Sequence, residues 1–289
     1  MFVLIRKLLL NRNYLILSFQ ANIYVIVLSK IFGVNVISRS NSSSSGWSKN
    51  FFKQLIFSYF FKRAKKIIVN SFDFKKEMDK RYKINTTCIL NPFKFSNIIK
   101  MSKKKTKRIF YEKDSIKLIS VGRLNHQKDF ITLLKAIDII KSKKKVELII
   151  IGKGFEKKKL KDFIYNQKLE KCVKLIGYKS NPFQYIRQAD IFILTSLFEG
   201  SPNVLIEAIT LKKYVISTNC PTGPREILNN GKYGELVKIG DFKKIAKLID
   251  NFKKNKIVKN KIRNGYKSLK KYNYKINCEK YYQLIKSYI

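Results

Sequence analysis

Histidine is almost absent: His126 is the only one in 289 residues, so a catalytic triad or a metal site built on imidazole has very little material. Cysteine offers no substitute. Cys88, Cys172, Cys220 and Cys278 lie far apart, form no CxxC pair or Cys/His cluster, and read as buried or incidental thiols in a reducing compartment. Neither a disulfide, a metal nor any other cofactor is implied. Acidic residues are few, 19 against 62 basic ones, for a formal net charge of +43. Only ten of those basic residues are Arg, the side chain suited to planar phosphate contacts. The Lys-dominated excess, with abundant Ile, Asn, Phe and Tyr, is what an AT-rich genome imposes. No aromatic platform is interleaved with basic residues along a groove, so nucleic acid is not expected as a partner. A field this positive would still attract an anionic membrane surface or phosphorylated substrates. Long apolar runs are missing too. Asn22, Ser29 and Lys30 interrupt the best spanning candidate, and no small-residue cleavage site follows the apolar, basic Met1–Leu10, which is therefore not read as a signal peptide. The expectation is a cytoplasmic protein, soluble or peripheral on the inner face of the membrane.

What is present is 45% apolar and alternates between strand-like and helix-like segments. In the first block Tyr14–Phe19, Val34–Ser38 and Lys66–Asn70 read as strands, and Ala21–Phe32 and Phe51–Arg63 as helices. Ser71 is placed to cap a further helix, and Ser42–Ser45 with Gly46 reads as a flexible loop. The basic run Lys100–Arg108 reads as a solvated linker. The second block follows with strands at Ile116–Val121, Val146–Ile151, Val173–Ile176, Ile191–Thr195 and Tyr214–Ser217, separated by helix-length segments. Such alternation implies a parallel sheet covered by helices on both faces, with ligand sites beyond the carboxyl ends of the strands.

Three turns occupy that position. Gly122 lets the chain turn after the first strand of the second block, leaving Arg123 and Lys128 at the sheet edge, where two cations suit a diphosphate. A lone Arg/Lys pair reads more readily as a solvated loop, and its place behind a buried strand shifts the balance back toward binding. After Ile191–Thr195, Gly200-Ser201-Pro202 starts a helix, with Ser201 as cap and Pro202 at the first helical position. The amides from Asn203 to Leu205 then form an anion site, bracketed by Glu199 and Glu207, whose carboxylates suit sugar hydroxyls. Pro221-Thr222-Gly223-Pro224 begins another helix and serves equally well as a pocket wall or as a ligand contact. Gly152-Lys153-Gly154 is only a tight strand-to-helix turn, since the full dinucleotide fingerprint is absent.

Taken in order, VGRLNHQKDF (121–130), IIGKG (150–154), KLIGY (174–178), ADIFILTSLFEGSPNVLIEA (189–208), STNCPTGPREIL (217–228) and GKYGELV (231–237) resemble the retaining glycosyltransferases of family 4, which have the GT-B fold. The resemblance implies an α/β chain of two Rossmann-like, doubly wound domains. Residues 1–105 would form the acceptor side, 106–265 the donor domain and 266–289 a C-terminal helical segment. It implies that Arg123 and Lys128 hold the donor diphosphate, that Glu199 accepts from the transferred sugar, and that these three serve catalysis. Glu207 would bind the ribose, and Gly177 and Tyr178 would lie near the base. Gly122 and the stretch Gly200, Ser201, Pro202, Asn203, Val204 and Leu205 would line the donor site, with amides cradling phosphates. Family members begin with further strands before anything like Tyr14–Phe19, so the N-terminal domain is expected to be incomplete. The loop around Ser38-Arg39-Ser40-Asn41 lacks the histidine often found there. The implied activity is transfer from a UDP-sugar to a glycan or lipid-linked acceptor, with retention and without metal. The alternative is a homologue that binds the nucleotide sugar without transferring it.

Overall fold

The computed structural model describes residues 2–11, 13–20, 22–41 and 51–289. The serine run expected as a flexible loop lies outside the described residues. The chain splits into two compact units, Met1–Pro92 with Tyr272–Ile289, and Phe93–Lys271.

In the first unit α1 (Phe2–Leu10) precedes β1 (Leu15–Ser18), α2 (Asn22–Ile31), β2 (Asn35–Arg39), α3 (Phe51–Phe61), β3 (Lys66–Val69), α4 (Phe72–Tyr82) and β4 (Thr87–Cys88). The strands run parallel in the order β1-β2-β3-β4. Ser71 caps α4 as expected, its hydroxyl accepting from Phe74 N at 3.1 Å. Ile26, Val36, Phe61, Val69, Phe74 and Met78 form the core under α2, α3 and α4. The alternate residues Ile37, Ile68 and Ile89 point to the other face, where Tyr281, Leu284 and Ile285 pack on them.

The second unit opens with α5 (Phe95–Ser102) and β5 (Ile116–Val121), followed by α6 (Phe130–Ile140), β6 (Val146–Ile151), α7 (Lys157–Asn166) and β7 (Val173–Leu175). It continues with α8 (Phe183–Ile186), β8 (Ile191–Leu194), α9 (Asn203–Thr210), β9 (Tyr214–Thr218), α10 (Pro224–Ile227), β10 (Glu235–Val237), α11 (Phe242–Asp250) and α12 (Lys256–Ser268). The last helix of the chain, α13 (Tyr274–Lys286), belongs to the first unit and supplies the residues that cover its far face. Every residue of β6, β8 and β9 is buried, as strands covered on both faces must be. Strand order is β10-β9-β8-β5-β6-β7, all parallel. This is the doubly wound Rossmann order, and its direction reverses between β5 and β8.

The unit boundaries differ from those expected after residues 105 and 265. The second unit begins at Phe93, because α5, which takes in the start of the basic run, packs on α8, and Asn181 Nδ2 donates to Met101 O at 2.9 Å. The helical C-terminus is not a separate segment, because its apolar side chains close the first sheet.

Candidate active site

The reversal of strand order opens the crevice where doubly wound sheets bind ligands, and the loops after β5 and β8 meet there. Small residues bring the backbones close. A Cβ on Gly152 would sit 1.8 Å from Gly122 O, and one on Gly154 would sit 2.2 Å from Leu124 O. The Gly152-Lys153-Gly154 turn therefore clamps the 122–124 turn, and Leu124 N donates to Lys153 O at 2.9 Å. After this turn His126–Lys128 forms one 3-10 turn, and Asp129 caps α6, its carboxylate accepting from Thr132 N.

Across the crevice, Lys128 Nζ lies 2.5 Å from Glu199 Oε1, and both side chains are nearly buried. Ser196 Oγ donates to the same carboxylate oxygen at 2.6 Å. The loops are stapled further by Thr195 Oγ1 donating to Lys128 O at 2.9 Å and by Gln127 Nε2 donating to Phe198 O at 2.8 Å. Arg123, on the same loop as Lys128, is exposed, and it forms no ion pair among the described residues. His126 is exposed in its turn.

The helix after β8 begins one residue later than expected. Pro202, with an extended ψ of 103°, is the cap residue, and Asn203 is the first helical one. Gly223 explains the position: a Cβ there would meet Gly200 O at 2.6 Å and Pro202 Cδ at 2.7 Å, so the 200–202 turn is packed under its bare backbone. Ser201 consequently caps nothing, and its buried hydroxyl has no partner. Leu205 N already donates to Pro202 O at 3.0 Å, and its side chain is buried in the core, which narrows the expected anion cradle to the amides ahead of it. Glu207 lies on the second turn of α9, and burial raises its pKa to about 7.

The remaining expected residues lie on the loops after β7 and β9. Gly177 follows β7 in the left-handed region, at φ +72°. Tyr178 is 64% exposed, with Lys153 Nζ 5.4 Å from its ring centroid. Thr222 Oγ1 donates to Glu199 O at 2.9 Å, and Gly223-Pro224 opens α10. Cys220 is chemically quiet, since burial and then the charge of Glu199 push its thiol up to about 12. Among the described residues no three His, Cys, Asp or Glu side chains gather as a metal site. Sequence spacing alone does not single out Ser196, Gln127 or the clamping function of Gly152. Ser196 and Gly152 follow the ends of β8 and β6, and Gln127 lies in the 3-10 turn after β5.

The family model for glycosyl transferases group 1 matches residues 102–275, and the chain belongs to that family. An uncharacterised glycosyltransferase of Methanocaldococcus jannaschii is 33% identical over 243 residues, 74% of this chain and 59% of the relative. The Campylobacter jejuni N-acetylgalactosamine-N,N'-diacetylbacillosaminyl-diphospho-undecaprenol 4-alpha-N-acetylgalactosaminyltransferase is 28% identical over 262 residues, 86% of this chain and 70% of that enzyme. The crystal structure of Anabaena HepE in complex with UDP superimposes with a TM-score of 0.81 at 18% identity, covering 99% of this chain and 82% of that one. The chain thus spans 59% of the length of its Methanocaldococcus relative, and the α/β architecture is that of GT-B glycosyltransferases.

Proposed function

We propose that the chain moves a hexosyl or N-acetylhexosaminyl group from a UDP-sugar to a glycan or lipid-linked acceptor, with retention at the anomeric carbon, in the assembly of surface polysaccharide or glycoconjugate. The observation that carries this reading is the Lys128–Glu199 pair at the switch point, with Arg123 exposed on the same loop as Lys128. Arg123 and Lys128 take the donor diphosphate together with the amides at the start of α9, and offset the charge that grows on it as the sugar leaves. Glu199 accepts from the hydroxyls of the sugar, Glu207 from those of the ribose, and Tyr178 offers a ring to the base. The acceptor hydroxyl attacks on the face the diphosphate leaves, so no protein nucleophile or metal is required. The choice of UDP is supported by its presence in the HepE complex, and a lipid-linked acceptor by what the Campylobacter enzyme's name says it acts on. The first unit serves the acceptor.

A lipid-linked acceptor would bring the protein to the cytoplasmic face of a membrane. No described helix is long and apolar enough to cross one. Contact with an anionic surface is supported by α3, which is apolar on both sides. Phe57, Phe60 and Phe61 pack into the core, whereas Phe52, Leu55, Ile56 and Tyr59 are exposed at helical spacing beside Lys53, Lys62 and Arg63.

Calorimetry with UDP and GDP, followed by transfer from labelled UDP-sugars, tests the proposal. Saturable UDP binding is expected. Binding of neither nucleotide at millimolar concentration would overturn the reading, and UDP binding without transfer would leave only the non-catalytic alternative.

A further inference from the structure

We propose that Arg39 is the centre of an oxyanion-binding subsite on the first unit, made for the phosphate or carboxylate of the acceptor. The proposal rests on the reading that this unit serves the acceptor. Arg39 is the last residue of β2, which lies between β1 and β3, so it stands at the carboxyl edge of a parallel sheet, where such sheets bind ligands.

Its surroundings hold it without neutralising it. No Asp or Glu precedes Asp73 in the sequence, and Arg39 has no ion pair among the described residues. Its Nη1 donates to Asn41 Oδ1, and its Nη2 donates to Asn91 Oδ1 at 2.5 Å. The ring of Phe19 is 5.7 Å from the guanidinium carbon. The third nitrogen, Nε, is buried and has no acceptor. The backbone beneath is pinned by neutral amides as well. Asn22 Nδ2 donates to Arg39 O at 2.9 Å, and Asn70 Nδ2 donates to Asn41 O at 3.3 Å. Tyr281 also approaches the guanidinium: burial raises its hydroxyl pKa, and the charge of Arg39 and a hydrogen bond with its side chain oppose that rise.

A half-buried cation with no counter-ion among the described residues, and with an unfilled buried donor, is costly unless an anion arrives. Asn22 also opens α2, a ten-residue helix whose positive end lies at the same edge and favours the same ligand. Arginine suits such a site because its planar fork takes two oxygens of one phosphate or carboxylate, which an ammonium does not. The donor diphosphate has its own cations, Arg123 and Lys128, on the other unit. The anion left for Arg39 is therefore one the acceptor carries, either the phosphate of a lipid carrier or the carboxylate of an acidic sugar.

The test titrates pyrophosphate and D-glucuronate, separately, into the full chain saturated with UDP, at high salt and by calorimetry. The wild type is compared with Arg39→Gln, Asn91→Asp and a Lys62→Gln/Lys65→Gln control. The expected result is saturable binding of at least one anion, about tenfold or more weaker in Arg39→Gln and unchanged in the control. Pyrophosphate binding points to a lipid phosphate, and glucuronate binding to an acidic sugar. Asn91→Asp supplies an internal carboxylate to the guanidinium and should abolish binding in a folded protein, which keeps the idea testable if Arg39→Gln does not fold. Absence of saturable binding in the wild type, or anion binding by Asn91→Asp at wild-type affinity, overturns the proposal. The preceding UDP titration separates this failure from failure of the donor reading.

Discussion

Lys128 and Glu199 form a nearly buried ion pair, Nζ to Oε1 at 2.5 Å, although they are 71 residues apart in sequence. Each therefore orients the other before any ligand arrives, and Ser196 fixes the carboxylate from below. Removing one partner strands a buried charge. Lys128→Met alone should cost about 3–5 kcal/mol of stability, and Lys128→Met/Glu199→Gln markedly less than the sum of the single changes. Urea unfolding of the double-mutant cycle measures the coupling, and additive losses would refute it. Transfer should be lost in all three variants.

Glu207 gives the ligand-free protein a pH dependence of known sign. Burial raises its pKa to about 7, above the value it has in the unfolded chain. As pH climbs between those two values, the unfolded chain releases the proton before the folded one does. The resulting stability is full at low pH and is lost as pH rises through about 7. Glu207→Gln should remove this slope and stabilise the ligand-free protein at alkaline pH by about 3 kcal/mol. The same change should weaken UDP binding by roughly 1.5–3 kcal/mol, through loss of a charged acceptor. Unfolding midpoints at acid and alkaline pH check the first part, and calorimetry the second.

Glycines at the site should respond differently to the same methyl group. Gly152→Ala drives a Cβ into Gly122 O, with 1.8 Å between them, so the clamp must open. Losses of about 3 kcal/mol or more and failure to bind UDP are expected. Gly177→Ala meets no atom within 4 Å and pays only for its positive φ of +72°. A loss of about 1–2 kcal/mol is expected there. Equal losses in both variants would mean that crowding at Gly152 does not hold the 122–124 turn.

Exposed side chains on α3 separate lipid insertion from simple charge attraction. Phe52→Ser/Ile56→Ser should leave the core intact, because both residues are exposed. Salt should release the electrostatic part of binding to anionic vesicles. In co-sedimentation at high salt the wild type should retain a bound fraction that the variant loses. Equal release of both would leave charge as the only attraction.

The sequence alone determined the local pieces. Apolar runs, caps and turn residues act over a few positions, so Ile116–Val121, Val146–Ile151, the Ser71 cap and the Gly223-Pro224 helix start were all legible. Glu199 and Glu207 could be singled out because they bracket a strand-to-helix turn. Even here a one-residue matter, whether Ser201 or Pro202 caps α9, depended on the remote Gly223 packing over the turn. Only the tertiary structure decided which pieces met. Apolar patterning shows that a strand is buried without saying which strand lies beside it. The order β10-β9-β8-β5-β6-β7 therefore had to form before Lys128 could reach Glu199. The same limit hid the return of α13 to the first sheet and the setting of Arg39, which has no counter-ion among the described residues because its neighbours in space are neutral amides.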